Sequence, residues 1–236
     1  MNLLDFLFPS RCLGCQKFGS FFCSSCREKI VFVPQICPIC ERQSVGGKTH
    51  FRCQTPYSLN GLVSFYAYEG PVRSALRRLK YKPFAFGGAR DLVGPALDFV
   101  KENPAVFAPL LSLLSPPTPL PYIVPVPLHS SRLRWRGFNQ AKVLAEVFAK
   151  EWGLPVTEFL VRKKETSPQA GLDIKERQKN IVSAFSLSPN PPAGGSQYRN
   201  IILLDDIWTT GATLRAAGMV LKRAGAKTVW GLTLAR

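Results

Sequence analysis

Two adjacent carboxylates, Asp205 and Asp206, followed closely by Thr209, Thr210, Gly211, Ala212 and Thr213, are the residues best suited to hold a small charged molecule. The run Ile201 to Leu204 before them is uninterruptedly apolar, as in a parallel strand buried on both faces. The carboxylates therefore cap the C-terminal end of a strand. A helix is expected next, with Leu214, Ala217, Leu221 and Ala224 inward and Gly225 as its stop. Lys227 to Ala235 supplies a further strand and completes a β-α-β unit. At a helix N-terminus, unpaired N–H groups and the helix dipole favour an anion. Gly211 lets the backbone approach closely, and the threonines add hydroxyl donors. A phosphate suits that loop. Paired carboxylates do not bind phosphate, but they accept hydrogen bonds from ribose hydroxyls or hold Mg²⁺ through water. A phosphate site beside a diol site at the edge of a parallel sheet describes a ribose-phosphate pocket. The plain alternative is a capped strand and an ordinary helix start. Three threonines and a glycine after a double Asp weigh against it.

A second constellation lies near the N-terminus. All seven cysteines fall between Cys12 and Cys53. Cys12 and Cys15, Cys23 and Cys26, and Cys37 and Cys40 are pairs with a two-residue gap, and His50 and Cys53 repeat that gap. Two ligands so spaced grip one metal from a tight turn, and two turns complete a tetrahedral site. Eight ligands make two structural zinc sites. Sequential pairing gives Cys12, Cys15, Cys23, Cys26 and Cys37, Cys40, His50, Cys53. Spacing alone leaves a cross-braced pairing open. His50 is the ligand with the least support, since a lone exposed histidine is the ordinary case. An odd cysteine count argues against a disulfide framework. With no basic leader before the apolar start, it implies a cytoplasmic protein.

The 236 residues carry 31 basic and 15 acidic side chains, a net charge of +16. A chain this basic is expected to meet polyanions: nucleic acid, a phosphorylated metabolite or anionic lipid. A hydrophobic content of 46% rules out disorder throughout, and no window suits a membrane span, so no membrane insertion is expected.

The elements that must position these residues read as follows. Leu62 to Tyr68 is a strand, broken by Gly70-Pro71. Val72, Ala75, Leu76 and Leu79 then repeat at helical spacing, with Arg73, Arg77 and Lys80 on the other side. A helix is expected over 88–101, with Pro95 as a kink. Residues 103–121 hold six prolines and read as an irregular Pro-rich insertion. Tyr122 to Leu128 resembles a buried strand, yet Pro125 and Pro127 should break a central ladder. A strand ending near Val126 reconciles the two. The basic, Gly-containing stretch from His129 to Gln140, with Arg132, Arg134 and Arg136, reads as a loop feeding a helix that Gly153 stops. Residues 162–179 and 189–196 read as mobile loops.

The segment Leu203 to Thr213 resembles the phosphoribosyl-diphosphate (PRPP) motif of type I phosphoribosyltransferases. Together with the cysteine pairs, Val-Pro-Val-Pro-Leu and Arg-Trp-Arg-Gly-Phe-Asn-Gln-Ala, it makes nearly the whole chain similar to the ComF family. The resemblance implies an α/β fold: a type I phosphoribosyltransferase-like parallel sheet flanked by helices at 57–236, with a small double zinc ribbon at 1–56. It implies that Asp205 and Asp206 meet the ribose hydroxyls and that Thr209, Thr210, Gly211, Ala212 and Thr213 cradle the 5′-phosphate. Residues 127–137 match a pyrophosphate loop, with Arg132, Arg134 and Arg136 as clamps. Lys163 and Lys164 match a catalytic loop that closes over the diphosphate. Two departures stand out. Trp208 replaces a smaller aliphatic residue, and either narrows the pocket or stacks on a base. Thr209 stands where purine-salvage relatives carry an Asp, which disfavours a 6-oxopurine acceptor.

Three functions follow as expectations. The first is Mg²⁺-dependent transfer at ribose C1′ of PRPP to an unknown acceptor, linked to competence and uptake of transforming DNA. The second is a single-stranded DNA-binding module, with Arg73, Arg77 and Lys80 tracking the phosphates. In it Trp135 and Phe138 either stack on bases or, as is commoner beside a helix, pack the loop. The third makes the zinc module a docking surface for a competence helicase.

Overall fold

The computed structural model describes residues 10–80, 86–115, 119–163, 184–189 and 200–236. The strands are β1 (Gly61–Tyr66), β2 (Tyr122–Pro125), β3 (Leu160–Arg162), β4 (Phe185–Leu187), β5 (Asn200–Ile207) and β6 (Thr228–Ala235). The helices longer than one turn are α1 (Gly70–Leu79), α2 (Phe86–Glu102), α3 (Pro104–Leu114), α4 (Ser130–Arg136), α5 (Gln140–Trp152) and α6 (Ala212–Arg223). β1, β6, β5 and β2 lie side by side in that order, all parallel. β3 and β4 form a separate antiparallel pair. The protein is thus α/β, with a parallel sheet flanked by helices.

The apolar run in β5 has the cause its pattern implies. Ile202 and Leu204 enter one buried cluster with α1, α2 and α5, while Ile201 and Leu203 enter another with α6. The sheet is covered on both faces, and its C-terminal edge is left to carry polar groups. The prolines of β2 cost no ladder bond. Ile123 N–H donates outward to Pro155 O at 2.9 Å, and Val126 N–H donates inward to Leu204 O at 2.8 Å. By alternation, Pro125 and Pro127 sit where an N–H would face away from β5.

Two expectations fail. The Pro-rich stretch 103–121 is not an irregular insertion over most of its length, because Pro104–Leu114 is helical. Pro104 stands at the helix start, where its missing N–H is spare. Phe107 and Leu110 are buried, and Phe107 packs 5.6 Å from Phe99 and 6.0 Å from Phe65 between ring centroids. Second, the basic stretch after β2 is not a loop. Ser130–Arg136 is a short helix. The His129 side chain caps it by accepting from Ser131 N–H, and Gly137 closes it at φ 78°. The loops expected at 162–179 and 189–196 lie mostly outside the described residues, as do residues 1–9.

The cysteine-rich segment does not build a core of its own. Cys12, Leu13, Phe22 and Cys26 belong to the same buried cluster as Val63, Phe65 and Leu92. Backbone bridges Phe32 to Tyr66 and Lys48 to Gly61 join it to β1. Among the described residues no helix is long and apolar enough to cross a membrane.

Candidate functional site

The metal ligands fall into two groups, Cys12, Cys15, Cys23, Cys26 and Cys37, Cys40, His50, Cys53, with the ligand atoms of each group within 4.8 Å of one another. The pairing is sequential, and the cross-braced alternative is excluded. His50 belongs. Its Nδ1 lies 3.3 Å from Cys40 Sγ, and its Nε2 lies 3.2 Å from Gln43 O. A metal-binding imidazole with its other nitrogen donating to a carbonyl has this arrangement.

The charge state of the thiols fits a dication. Burial alone raises Cys12, but the N–H groups of Cys15, Cys23 and Gly14 outweigh it and bring the thiol down to about 6. Cys26 moves upward, through burial and then through the neighbouring thiols of Cys12, Cys15 and Cys23. In the second group the backbone and side chain of Arg42 bring Cys40 down to about 6, while burial and then Cys40 and Cys37 push Cys53 up to about 11. Each group sets a thiol that ionises readily against one that resists. Zn²⁺ removes that conflict by binding all as thiolates.

The second site sits at the C-terminal edge of the sheet. Asp205 and Asp206 lie near the C-terminal end of β5, where Asp205 pairs with Thr233 of β6 and the ladder runs on to Ile207 opposite Ala235. Asp206 N–H donates to Asp205 Oδ1 at 2.9 Å. Burial, and then the charge of Asp206, raise the Asp205 carboxyl well above the ordinary value of 3.8. Lys80, just past the end of α1, sets its Nζ 3.2 Å from Asp206 Oδ2. Sequence reading placed Lys80 on a basic stripe. The structure turns it to the carboxylates instead. Arg73 lies over the Tyr68 ring, so the stripe does not exist as a uniform surface.

Thr209 and Thr210 are exposed, and Gly211 takes the left-handed φ of 68° as the residue before α6. No side chain caps α6, so its first N–H groups face the loop without a side-chain partner. Ala212 and Thr213 form its first turn, both half-buried. Trp208 is 3% exposed and belongs to the buried cluster under α6. Its ring lies where a Cβ on Gly211 would stand, within 2.1 Å of that position. Trp208 is therefore the floor of the loop, and a stacking role on a base is excluded. Position 211 accepts only glycine, for its φ and for this close approach.

The arginines separate. Arg132, Trp135, Arg136 and Ser131 line one shallow depression of about 250 Å³, while Arg134 stands exposed outside it. α4 follows β2, the neighbour of β5, so the depression lies on the same edge of the sheet as the carboxylates. Trp135 is 71% exposed, whereas Phe138 packs on the core. A bridge between His129 and Arg162 brings the exposed Lys163 beside the start of α4. Lys164 lies outside the described residues.

Sequence reasoning missed Arg215 in the first turn of α6. It donates to Thr210 O at 2.9 Å, to Pro38 O at 2.6 Å and to Glu41 Oε1 at 2.7 Å. No local pattern signals a partner so distant in sequence.

These features define a class: a zinc-bearing α/β protein with paired carboxylates and an uncapped helix start at one sheet edge. The double zinc ribbon domain model matches residues 3–54. Competence protein F of Haemophilus influenzae is 30% identical over 229 residues, covering 95% of this chain and 90% of that protein. Competence protein ComFC of Bacillus subtilis is 30% identical over 223 residues, covering 91% and 83%. The DNA utilization protein YhgH of Escherichia coli is 28% identical over 215 residues, covering 88% and 86%. The chain belongs to the ComF family.

Proposed function

We propose that the protein binds PRPP at the sheet edge and transfers its phosphoribosyl group, in the service of DNA uptake in the cytoplasm. One observation carries the reading: two carboxylates, one of them raised by burial and its neighbour, sit beside a helix start whose amides have no side-chain cap. The loop from Thr209 to Thr213 takes the 5′-phosphate through its N–H groups and hydroxyls. Asp205 and Asp206 accept from the ribose hydroxyls. Lys80 holds Asp206 in place and limits the repulsion between the carboxylates. Arg132 and Arg136 take the diphosphate, with Arg134 and Lys163 at the margin. When bound, Mg²⁺ neutralises the diphosphate. The acceptor's lone pair forms the new bond to C1′ as the C1′–O bond breaks, and its electrons leave with pyrophosphate. The residues stabilise the charge that builds on the leaving group. The role in DNA uptake follows from the relatives named competence proteins. Incubation with PRPP, Mg²⁺ and a panel of bases and amines tests the transfer. Pyrophosphate release with at least one acceptor is expected, and no release with any acceptor refutes catalysis.

The exposed ring of Trp135 beside Arg132 and Arg136 favours a second reading, in which single-stranded DNA stacks there. Such binding weakens steeply with salt and is reduced in Trp135→Ala. Salt-independent binding counts against it.

A further inference from the structure

We propose that Arg215 is a positioning residue that couples the second zinc site to the phosphate loop, so that zinc at Cys37, Cys40, His50 and Cys53 keeps the loop in its anion-receiving shape. The proposal rests on the phosphate reading of that loop. The guanidinium reaches both structures at once. Nε donates to Pro38 O and Nη2 to Glu41 Oε1, both on the Cys37–Cys40 turn, and Nη1 donates to Thr210 O. Its carbon lies 5.0 Å from the centroid of the Trp208 ring, the floor of the loop.

The metal shapes the first half of this link. The Cys37–Cys40 turn closes with Glu41 N–H on Cys37 O at 2.9 Å, and Glu41 stands at φ 60°. For a residue with a Cβ that conformation is strained, and it persists only where surrounding structure holds it. Zinc held by Cys37 and Cys40 would do so. Once the turn relaxes, Arg215 loses two of its three acceptors.

The planarity of the peptide shapes the second half. The Thr210 carbonyl and the Gly211 N–H share one peptide plane and point opposite ways. Fixing the carbonyl on Arg215 therefore fixes the direction of an amide in the phosphate loop. Three acceptors at set angles call for a planar fork, which lysine lacks. The turn of the first zinc site is tied instead to α1, through Arg78 on Leu13 O and Gly14 O. Gln16 stands in the place of Glu41, at φ 70°, and its Nε2 donates to Cys12 O of its own turn.

The test uses the full chain loaded with zinc. Hydrogen exchange is followed over residues 208–216, and PRPP with Mg²⁺ is titrated calorimetrically. Arg215→Lys and Glu41→Gln are both expected to retain two zinc ions. Exchange at 208–216 should quicken about tenfold in Arg215→Lys and less in Glu41→Gln, with residues 10–27 unchanged. PRPP affinity should fall in the same order. Cys40→Ser should reproduce the loop exchange of Arg215→Lys, and the double variant should add little to either. Additive effects, or unchanged exchange in Cys40→Ser, overturn the coupling. If Cys40→Ser does not fold, Glu41→Gln decides, since it keeps every ligand and unchanged loop exchange overturns the proposal. Wild type that fails to bind PRPP refutes the phosphate reading alone, because the exchange arm still judges the link.

Discussion

The two zinc sites share a turn and differ in what they hold. In both, the residue after the second cysteine is non-glycine with a positive φ, Gln16 in one and Glu41 in the other. The first site is set into the core. Cys12 and Cys26 are buried, Arg78 donates to Leu13 O and Gly14 O at 2.5 and 2.7 Å, and Asp91 of α2 accepts from Phe22 N–H at 3.1 Å. The first site has two buried ligands, with Cys23 half-buried and Cys15 exposed; the second has one, Cys37, with Cys40, His50 and Cys53 half-buried and Phe51 beside them 89% exposed. A long-range side-chain tie runs from the second site through Arg215 to the Thr209–Thr213 loop. In the proposed reading the same metal motif serves stability in one place and site geometry in the other. What differs is the partner of each turn.

The sharpest way to break this contrast is to remove one ligand from each site. Structural zinc contributes about 10 kcal/mol or more in small zinc domains, comparable to the whole stability of a typical protein. Cys26 also belongs to the main buried cluster, which Cys40 does not, so Cys26→Ser should abolish the cooperative thermal transition. Cys40→Ser should keep it and lose one zinc ion. Circular dichroism with metal analysis checks both, and equal damage from the two variants breaks the contrast. Arg78→Ala removes only the tie of the first site. It should cost about 1–3 kcal/mol in denaturant unfolding and leave PRPP binding unchanged.

The smallest effect has the opposite sign. Burial and Asp206 raise the Asp205 carboxyl, so the fold favours its protonated form. The stability this lends is full below about pH 4 and is lost as pH rises through the folded value. Ionising the group within the fold costs stability. Asp205→Asn should raise the melting midpoint by roughly 2–4 °C without ligand, with an advantage over wild type that grows with pH. A variant that melts lower at neutral pH refutes this.

Much of this was legible in the sequence, because the signals were local. The gaps between Cys12 and Cys53 gave the ligands, and the apolar run before Asp205 gave the buried strand. His50 is joined to its site by a single local gap, and the structure supplies the Gln43 carbonyl that orients it. Proline count misled at 103–121, where Pro104 opens a helix and Phe107 and Leu110 anchor it. Charge density misled at Arg132 to Arg136, where the caps His129 and Gly137 decide for a helix. Lys80 and Arg215 act through partners more than a hundred residues away, which no spacing rule reaches.

The central claim is that the Asp205–Thr213 edge receives a phosphorylated ribose, and a thermal titration with PRPP and Mg²⁺ tests it most directly. Ligand that binds only the folded state stabilises it by about 4 kcal/mol at a thousandfold excess over Kd. The account predicts a midpoint that climbs with ligand in the wild type and stays flat in the Asp205→Asn/Asp206→Asn double variant. No shift in the wild type, or an equal shift in both proteins, contradicts it.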